Sequence, residues 1–264
     1  MHMRILVIGG GGREHALVWK LAQSPKVEKI YVAPGNPGML NLAECINLPA
    51  SDFESVAAFA MEKKIDLTVV GPEGPLVAGI VDVFKAHGLA IFGPTAAAAA
   101  IEGSKSFSKE LMHKYNIPTA FFKICSDSTA AKAYIKEKGA PIVIKADGLA
   151  AGKGVVICET KEQAKEELKV MLDGSAFGEA GKKVVLEEFL TGFECSLLCF
   201  VDHDTIVPMV SAKDHKQIYD NNEGPNTGGM GTVSPNPFLP EGMEGTFKEK
   251  ILDPFMKGLH EDHM

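Results

Sequence analysis

The chain has 264 residues, which is enough for more than one compact domain with its own hydrophobic core. Hydrophobic residues make up 45% of it and charged residues 23%, and the formal net charge is -7. Proteins that bind nucleic acid are usually basic, so this charge argues against a nucleic-acid partner. No apolar run is long enough to cross a bilayer, and we expect no membrane partner.

Five cysteines are present, and no two of them are spaced as C-x-x-C. An odd number without such a pair is typical of reduced thiols rather than of a disulfide framework. The apolar opening Arg4–Ile8 is too short for a secretory signal, because glycines follow it at once. We therefore expect a cytoplasmic protein.

The first hundred residues alternate between strand and helix patterns. Apolar runs such as Ile5–Ile8 and Leu67–Val70 are separated by stretches with helical spacing, such as Glu14–Leu21 and Val77–Ala86. Continuous apolar strands between amphipathic helices are typical of a parallel sheet with both faces covered. The sequence therefore predicts an α/β, Rossmann-like domain over residues 1–103.

Glycine- and proline-rich turns follow three of the predicted strands, at Gly9–Gly12, Pro34–Gly38 and Gly71–Pro75. Ligands of such sheets gather at the carboxyl ends of the strands, so we expect the three loops to face one crevice. Where the first loop enters a helix, backbone amides can bind a phosphate group. The alternative is a close-packed turn without a ligand.

Two features argue against a dinucleotide at the first loop. Glu14 stands where the third glycine of the G-x-G-x-x-G fingerprint belongs. The second strand ends at Ala33–Asn36 without an acid placed for a ribose diol. A phosphate group is therefore favoured over NAD, and an NAD-binding oxidoreductase is kept as the alternative from another class.

A second unit begins near Ser104, where the pattern changes to mixed α+β. A predicted helix, Ser104–Tyr115, is followed from Phe121 to Leu190 by strand, helix, strand, glycine-rich loop, strand, helix and strand. This block is typical of a lid that closes over a substrate.

The remaining residues predict a less regular unit. Two long strands are expected over Glu194–Val201 and Thr205–Ser211, followed by a polar, glycine-rich stretch, Lys213–Gly231. A helical tail over Glu244–His260 is expected to bend at Pro254. Because no closing strand follows, we expect this unit to be incomplete.

A glycine-rich loop, Ala146–Gly154, follows an apolar strand that ends at Lys145. It is not a P-loop, because its glycines are spaced too closely, Gly154 replaces the Ser or Thr, and a strand follows. We interpret it as a flexible loop that folds over phosphates, with Lys145 and Lys153 supplying positive charge. The alternative is a mobile surface loop, but a lysine that ends an apolar strand needs a partner.

Two acids, Glu187 and Glu188, end another apolar strand, and adjacent strand side chains point to opposite faces. One acid can therefore face a pocket while the other does not. Phe189 and Leu190 would contact an adenine, with Glu194 within reach of ribose hydroxyls. The alternative is a solvent-facing pair of acids.

A last cluster joins the mixed charges of Lys213–Lys216 to the glycines of Asn226–Gly231. Charged groups beside glycine amides can hold a carboxylate and a phosphoryl group together. The alternative is an exposed turn.

Taken in order, these segments resemble the phosphoribosylamine–glycine ligase family of ATP-grasp enzymes, over essentially the whole chain. The segments include Gly-Gly-Arg-Glu-His, Val-Gly-Pro-Glu-Gly-Pro-Leu, Ile-Lys-Ala-Asp-Gly-Leu-Ala-Ala-Gly-Lys-Gly and Gly-Pro-Asn-Thr-Gly-Gly-Met-Gly. The resemblance implies a Rossmann-like domain over 1–103 followed by an ATP-grasp domain. That domain would comprise a lid at 122–190 and an incomplete larger subdomain at 191–264, to which a linker helix at 104–121 also belongs.

The resemblance implies that ATP phosphorylates the carboxylate of glycine and that the amine of 5-phosphoribosylamine attacks the glycyl phosphate. The products would be glycinamide ribonucleotide, ADP and phosphate, and positioning and charge stabilisation would suffice for the chemistry. Mg²⁺ or Mn²⁺ would accompany ATP, with its ligands beyond residue 264. If the polypeptide ends at Met264, we expect weak metal binding and crippled ligase activity. We also expect a monomer.

The resemblance also assigns residues to each ligand. The phosphoribosyl group would be held by Gly10, Gly11, Gly12, Arg13, Glu14, Asn36, Gly71, Pro72 and Glu73. The ATP phosphates would contact Lys105, Lys145, Gly152, Lys153 and Gly154. The adenine and ribose would be lined by Glu187, Glu188, Phe189, Leu190 and Glu194. The catalytic group near glycine and the γ-phosphate would be Asp214, His215, Lys216, Gly228, Gly229 and Met230.

Two further alternatives are compatible with this resemblance. One is another ATP-grasp ligase that activates a different carboxylate. The other is a nucleotide-binding fragment without catalysis.

Overall fold

A computed structural model of the chain describes residues 2–149, 154–173, 178 and 181–264. The chain divides into two compact units, Met1–Gly103 and Ser104–Met264. Each unit contains a main sheet and hydrophobic core clusters of its own.

The first unit alternates strands with helices. Its elements are β1 Met3–Gly9, α1 Gly12–Leu21, β2 Val27–Pro34, β3 Glu44–Cys45, α2 Phe53–Glu62, β4 Leu67–Val70, α3 Glu73–Val77, α4 Ile80–Ala86, β5 Ile91–Phe92 and α5 Ala96–Gly103. The five strands form a parallel sheet in the order β3-β2-β1-β4-β5. The predicted Rossmann-like sheet is confirmed, and the strand order reverses between β1 and β4.

Strand β1 lies between the two cores of this unit, which explains its uninterrupted apolar sequence. Leu6 and Ile8 pack with Phe84 of α4 in one core, while Ile5 and Val7 belong to the other core. All four strand residues are at most 2% exposed. Full burial of each such side chain contributes roughly 1.5–3 kcal/mol to folding, so β1 anchors the loop that follows it.

The helix predicted over Val77–Ala86 is confirmed as α4, Ile80–Ala86, but it begins three residues later than predicted and is preceded by a separate helix, α3, which ends at Val77. Gly79 separates them with a φ of +92°. This left-handed conformation is accessible to glycine but cannot continue an α-helix. The first of the two helices begins at Glu73, directly after the loop that follows β4.

The second unit begins with α6, Lys105–Lys114, and continues into a four-stranded antiparallel sheet. The further elements are β6 Phe122–Cys125, α7 Ser128–Lys138, β7 Ile142–Ala146, β8 Val155–Cys158, α8 Lys161–Leu168 and β9 Val184–Glu188. The strand order is β6-β9-β7-β8, and Ile135, Ile144 and Leu168 lie in the shared core of sheet and helices. The predicted succession of elements is confirmed.

The rest of this unit consists of two antiparallel hairpins and a helical tail. These are β10 Cys199–Val201 with β11 Ile206–Pro208, β12 Lys213–Tyr219 with β13 Glu223–Val233, α9 Met243–Phe247 and α10 Asp253–Glu261. The long strands predicted over Glu194–Val201 and Thr205–Ser211 form only in part, as the short β10 and β11. Past Pro208 the two segments remain paired, through the Met209 amide to the Leu198 carbonyl oxygen at 2.8 Å and an isolated antiparallel bridge between Ser196 and Ala212.

The polar stretch Lys213–Gly231 forms most of the β12–β13 hairpin, which the sequence pattern does not predict. The helical tail is confirmed, and its irregular turn, Lys248–Leu252, ends two residues before Pro254, directly before the start of α10. Within the described part of the chain, every helix is too short or too polar to cross a bilayer.

Candidate functional site

The Gly9–Gly12 loop of the first unit is bonded to the loops on both sides of it. The Asn36 side-chain amide, after β2, donates to the Gly10 carbonyl oxygen at 2.9 Å. The Arg13 guanidinium contacts the Glu73 carboxylate, after β4, at 3.2 Å. Because β1 lies between β2 and β4, the three loops come together as predicted. Their role in binding stays a prediction.

Glu14 is the buried residue on which this loop cluster is built. One of its carboxylate oxygens accepts the Gly11 amide at 2.6 Å, while the other is buried without a hydrogen-bond partner among the described residues. A Cβ on Gly9 or Gly71 would lie 2.6 Å or 2.3 Å from the Glu14 side chain. Both positions therefore require glycine, and a glutamate stands where the third glycine of a dinucleotide fingerprint allows close packing of helix against strand.

In the second unit, Lys145 has the partner that its sequence position requires. It lies near the end of β7, and its ammonium nitrogen is 2.9 Å from Oε2 of Glu187 on the neighbouring strand β9. The Glu187 side chain is 6% exposed and the Lys145 side chain 27% exposed. The predicted need for a partner is confirmed.

The two acids at the end of β9 face different surroundings, as the strand alternation predicts. Glu187 is buried, whereas Glu188 is exposed and accepts the Phe121 amide at 3.4 Å. Phe189 is half-buried and Leu190 exposed.

Lys109 completes this cluster and was missed from the sequence. Its ammonium nitrogen lies 3.0 Å from the same Oε2 of Glu187 and donates to the Thr119 hydroxyl at 2.6 Å. Lys109 is one of the buried residues of α6, one turn after the buried Ser106. The sequence offers little signal for it, because lysines usually turn outward and its helical neighbours Lys105 and His113 are polar.

Asp147 ties the first turn of α6 to the glycine-rich loop, and it was also missed. Its carboxylate accepts the Ser106 amide at 2.6 Å, the Ser106 hydroxyl at 2.8 Å and the Ser104 hydroxyl at 3.1 Å. Its backbone oxygen accepts the Lys105 amide at 3.0 Å, and the Lys105 ammonium donates to the Gly148 carbonyl at 2.9 Å. Lys105 is thereby joined to the start of this loop.

The last residue of the glycine-rich loop is hydrogen-bonded to the end of β7, the strand that precedes the loop. The Ala146 amide donates to the Gly154 carbonyl oxygen at 2.8 Å, and Gly154 is buried. Gly152 and Lys153, which were assigned to ATP, lie outside the described residues.

A third cluster forms on the β12–β13 hairpin. The Lys216 ammonium lies 2.5 Å from the Glu194 carboxylate and 4.0 Å from the Asp214 carboxylate. The structure therefore brings Glu194, assigned to ribose, together with two residues assigned to the catalytic group. Gly229, with a φ of +118°, lies beside Asp214, where an added Cβ would be 3.5 Å from the carboxylate.

The other members of the predicted catalytic group line the same hairpin. His215 pairs with Gly231 across the two strands, and its Nδ1 is 3.4 Å from the Gly231 carbonyl oxygen. The Thr227 hydroxyl donates to the Lys216 carbonyl oxygen and accepts the Gly229 amide, which fixes the glycine turn. Gly228 and Met230 are accessible, with Met230 60% exposed.

A separate exposed group, His203, Asp204 and His260, offers ligand atoms within 4.8 Å of one another. Nε2 of His260 faces the His203 carbonyl oxygen and therefore acts as a hydrogen-bond donor. That nitrogen is not available as a ligand in this arrangement.

Comparison with known proteins accounts for the whole chain. Residues 3–102 match the family described as "Phosphoribosylglycinamide synthetase, N domain", and residues 103–264 match its "ATP-grasp (A) domain". The phosphoribosylamine–glycine ligase of Clostridium acetobutylicum is 53% identical over 262 residues, which are 99% of this chain and 63% of that protein.

Solved structures agree with this match. A crystal structure of phosphoribosylamine–glycine ligase from Thermotoga maritima has a TM-score of 0.82 at 30% identity, over 98% of this chain and 62% of that one. N5-carboxyaminoimidazole synthetase from Staphylococcus aureus, complexed with ADP, shares the fold, with a TM-score of 0.73 at 18% identity over 98% of this chain and 64% of that one.

The chain spans about three fifths of the length of the curated relatives it matches. Within this chain the N domain precedes the ATP-grasp domain. The chain belongs to the phosphoribosylglycinamide synthetase family.

Proposed function

We propose that this chain binds ATP, glycine and 5-phosphoribosylamine and joins the last two as part of a phosphoribosylamine–glycine ligase. The observation that carries the proposal is the placement of two lysines around one glycine-rich loop. Lys145 precedes the loop, and Lys105 is bonded to its first residues, Asp147 and Gly148. Two ammonium groups at the start of a loop of this kind suit a polyphosphate.

The proposed reaction activates glycine with ATP. A carboxylate oxygen of glycine attacks the γ-phosphorus, ADP leaves, and glycyl phosphate forms. The amine of 5-phosphoribosylamine then attacks the acyl carbon, phosphate leaves, and the amine loses a proton as the amide of glycinamide ribonucleotide forms. Lysine ammonium groups offset the charge that develops on the transferring phosphoryl group.

Each cluster has a proposed share in this reaction. The loops around Glu14 would hold the phosphoribosyl group, with the exposed Arg13 available to its phosphate. The end of β9 and the chain that follows it would contact the adenine and ribose. The Asp214–Lys216 hairpin would hold glycine and the γ-phosphate, since it offers charges of both signs beside glycine amides.

Magnesium or manganese would accompany ATP, as in other nucleotide-dependent ligases, and would neutralise charge on the triphosphate. The acids of these clusters are already bound to cations or N–H groups: Glu187 to lysines, Glu194 and Asp214 to Lys216, and Asp147 to Ser106. They do not form a metal-ligand set, so the ligands would come from elsewhere.

We also propose that the protein is a cytoplasmic monomer whose partners are these small molecules.

The test is ADP release in the presence of Mg²⁺. Release that requires both glycine and 5-phosphoribosylamine is the expected result. Replacement of glycine by other carboxylates distinguishes another ligase of the same fold. Lys145→Ala should weaken ATP use far more than folding, because it removes a charge and opens little core. Unchanged ATP kinetics in that variant would contradict the proposal.

A further inference from the structure

Two lysines share one oxygen of a buried carboxylate in the second unit. Lys145 and Lys109 approach Oε2 of Glu187 at 2.9 Å and 3.0 Å from different elements, β7 and α6. The second oxygen, Oε1, is buried without a hydrogen-bond partner among the described residues. Both ammonium groups are therefore directed at a single atom.

The two lysines differ in depth. The Lys109 side chain is 9% exposed and the Lys145 side chain 27% exposed. Lys109 is also held by the Thr119 hydroxyl at 2.6 Å and lies 5.7 Å from the centre of the Phe122 ring. Lys109 is thus the fixed, internal partner of Glu187, and Lys145 is the partner that can turn toward a ligand.

The charges of this group do not balance. Two ammonium groups and one carboxylate leave a formal charge of +1, and buried charges are costly unless they are neutralised. An anion can supply the missing charge only from the more exposed side, where Lys145 lies. If Lys145 leaves Glu187 for that anion, Lys109 keeps the carboxylate neutralised.

We propose that Lys109 is a positioning residue that releases Lys145 for the nucleotide phosphates by neutralising Glu187. Without Lys109, movement of Lys145 toward a phosphate would leave a buried carboxylate unpaired, which opposes binding. This inference rests on the proposed ATP binding at Lys145. It adds a residue that does not contact the nucleotide and acts only through Glu187.

The test is a double-mutant cycle on the dissociation constant of MgATP, measured by calorimetry. Lys109→Met should raise the constant about tenfold or more, since an unpaired buried charge then opposes binding. In a Glu187→Gln background the same substitution should change it by less than about threefold, because no carboxylate remains to be neutralised. Lys109→Arg should restore most of the affinity of the original chain.

Lys123→Met is the matched control, because Lys123 is an exposed lysine on β6 of the same sheet and should leave ATP affinity unchanged. Thermal unfolding of each variant separates lost folding from lost binding, and Lys109→Gln replaces Lys109→Met if the latter does not fold. An equal effect of Lys109→Met in both backgrounds would overturn the inference. The inference would also be overturned if Lys109→Met left ATP affinity unchanged while Lys145→Met weakened it. Absence of ATP binding by the unsubstituted chain would instead overturn the proposed function itself, and this inference with it.

Discussion

The Asp147 carboxylate accepts the Ser106 amide at 2.6 Å, so the residue that opens the glycine-rich loop also holds the first turn of α6. Ser106 is 6% exposed, and its hydroxyl donates to the same carboxylate. An anion at a helix N-terminus satisfies amides that have no partner within the helix. Lys105, which precedes Ser106, is thereby fixed beside the loop.

Asp147→Ala should lower both stability and nucleotide affinity. Unsatisfied buried donors at Ser106 should cost roughly 1–3 kcal/mol of unfolding free energy. Lys105 should also lose its fixed position, so the dissociation constant of MgATP should rise. Urea unfolding and calorimetry measure the two effects. Asp127→Ala is the control, because Asp127 also accepts an amide in the first turn of a helix, that of Ala130 in α7, and should affect stability alone. Equal ATP affinity in both variants would contradict this role of Asp147.

Much of the fold could be predicted because buried segments show simple patterns of apolar residues in the sequence. Strand β1 is apolar at every position from Ile5 to Ile8 since it has a core on each face. The need of Lys145 for a partner also followed from its place in an apolar strand. The partner itself, Glu187, lies on another strand, and its pairing with Lys145 depends on strand order.

Other features could not be predicted because they depend on pairing between distant segments. The β12–β13 hairpin is formed largely by polar residues and glycines, whose strand propensity is low, and only the register of the two strands makes it regular. In the sequence, Lys109 cannot be distinguished from a surface lysine, and only the fold brings it to Glu187. The sequence pattern likewise places Asp147 in a loop, whereas in the structure its carboxylate contacts the first turn of α6.

Gly71→Ala should disturb the first unit, because the new Cβ would lie 2.3 Å from the Glu14 side chain. Glu14 would have to leave the Gly11 amide that it now accepts. Forcing a methyl group into such a space typically costs about 1–3 kcal/mol of unfolding free energy. If the loops hold the phosphoribosyl group, this variant should also bind ribose 5-phosphate more weakly, which calorimetry measures.

Gly74→Ala is the matched control for this substitution. Gly74 lies in α3, three residues further on, with no atom within 4 Å of its added Cβ. Alanine favours helix over glycine by roughly 0.5–1 kcal/mol, so this variant should be slightly more stable than the original chain. Equal destabilisation by the two substitutions would show that Glu14 does not require glycine at position 71.

Asp262→Asn should destabilise the second unit in a way that depends on pH. Hydrogen bonds from Lys114 and Tyr115 hold the pKa of Asp262 below its ordinary value of 3.8. The stabilisation by this carboxylate is therefore fully present above that value and is lost as the pH falls through the lower, folded pKa. Urea midpoints of the two proteins should differ at pH 7 and approach one another below pH 3.8. A constant difference across this range would contradict the assignment.

Cys158 should be the least reactive of the five thiols. It is fully buried in the core of the β6–β9 sheet, and burial raises its pKa to about 11. Because the thiolate is the reacting form, alkylation at pH 8 should leave Cys158 unmodified while the partly exposed Cys45 and Cys195 react. Peptide mass spectrometry after iodoacetamide treatment measures this order, and treatment in urea should abolish it. Labelling of Cys158 in the folded protein as fast as Cys45 would mean that this core opens to solvent.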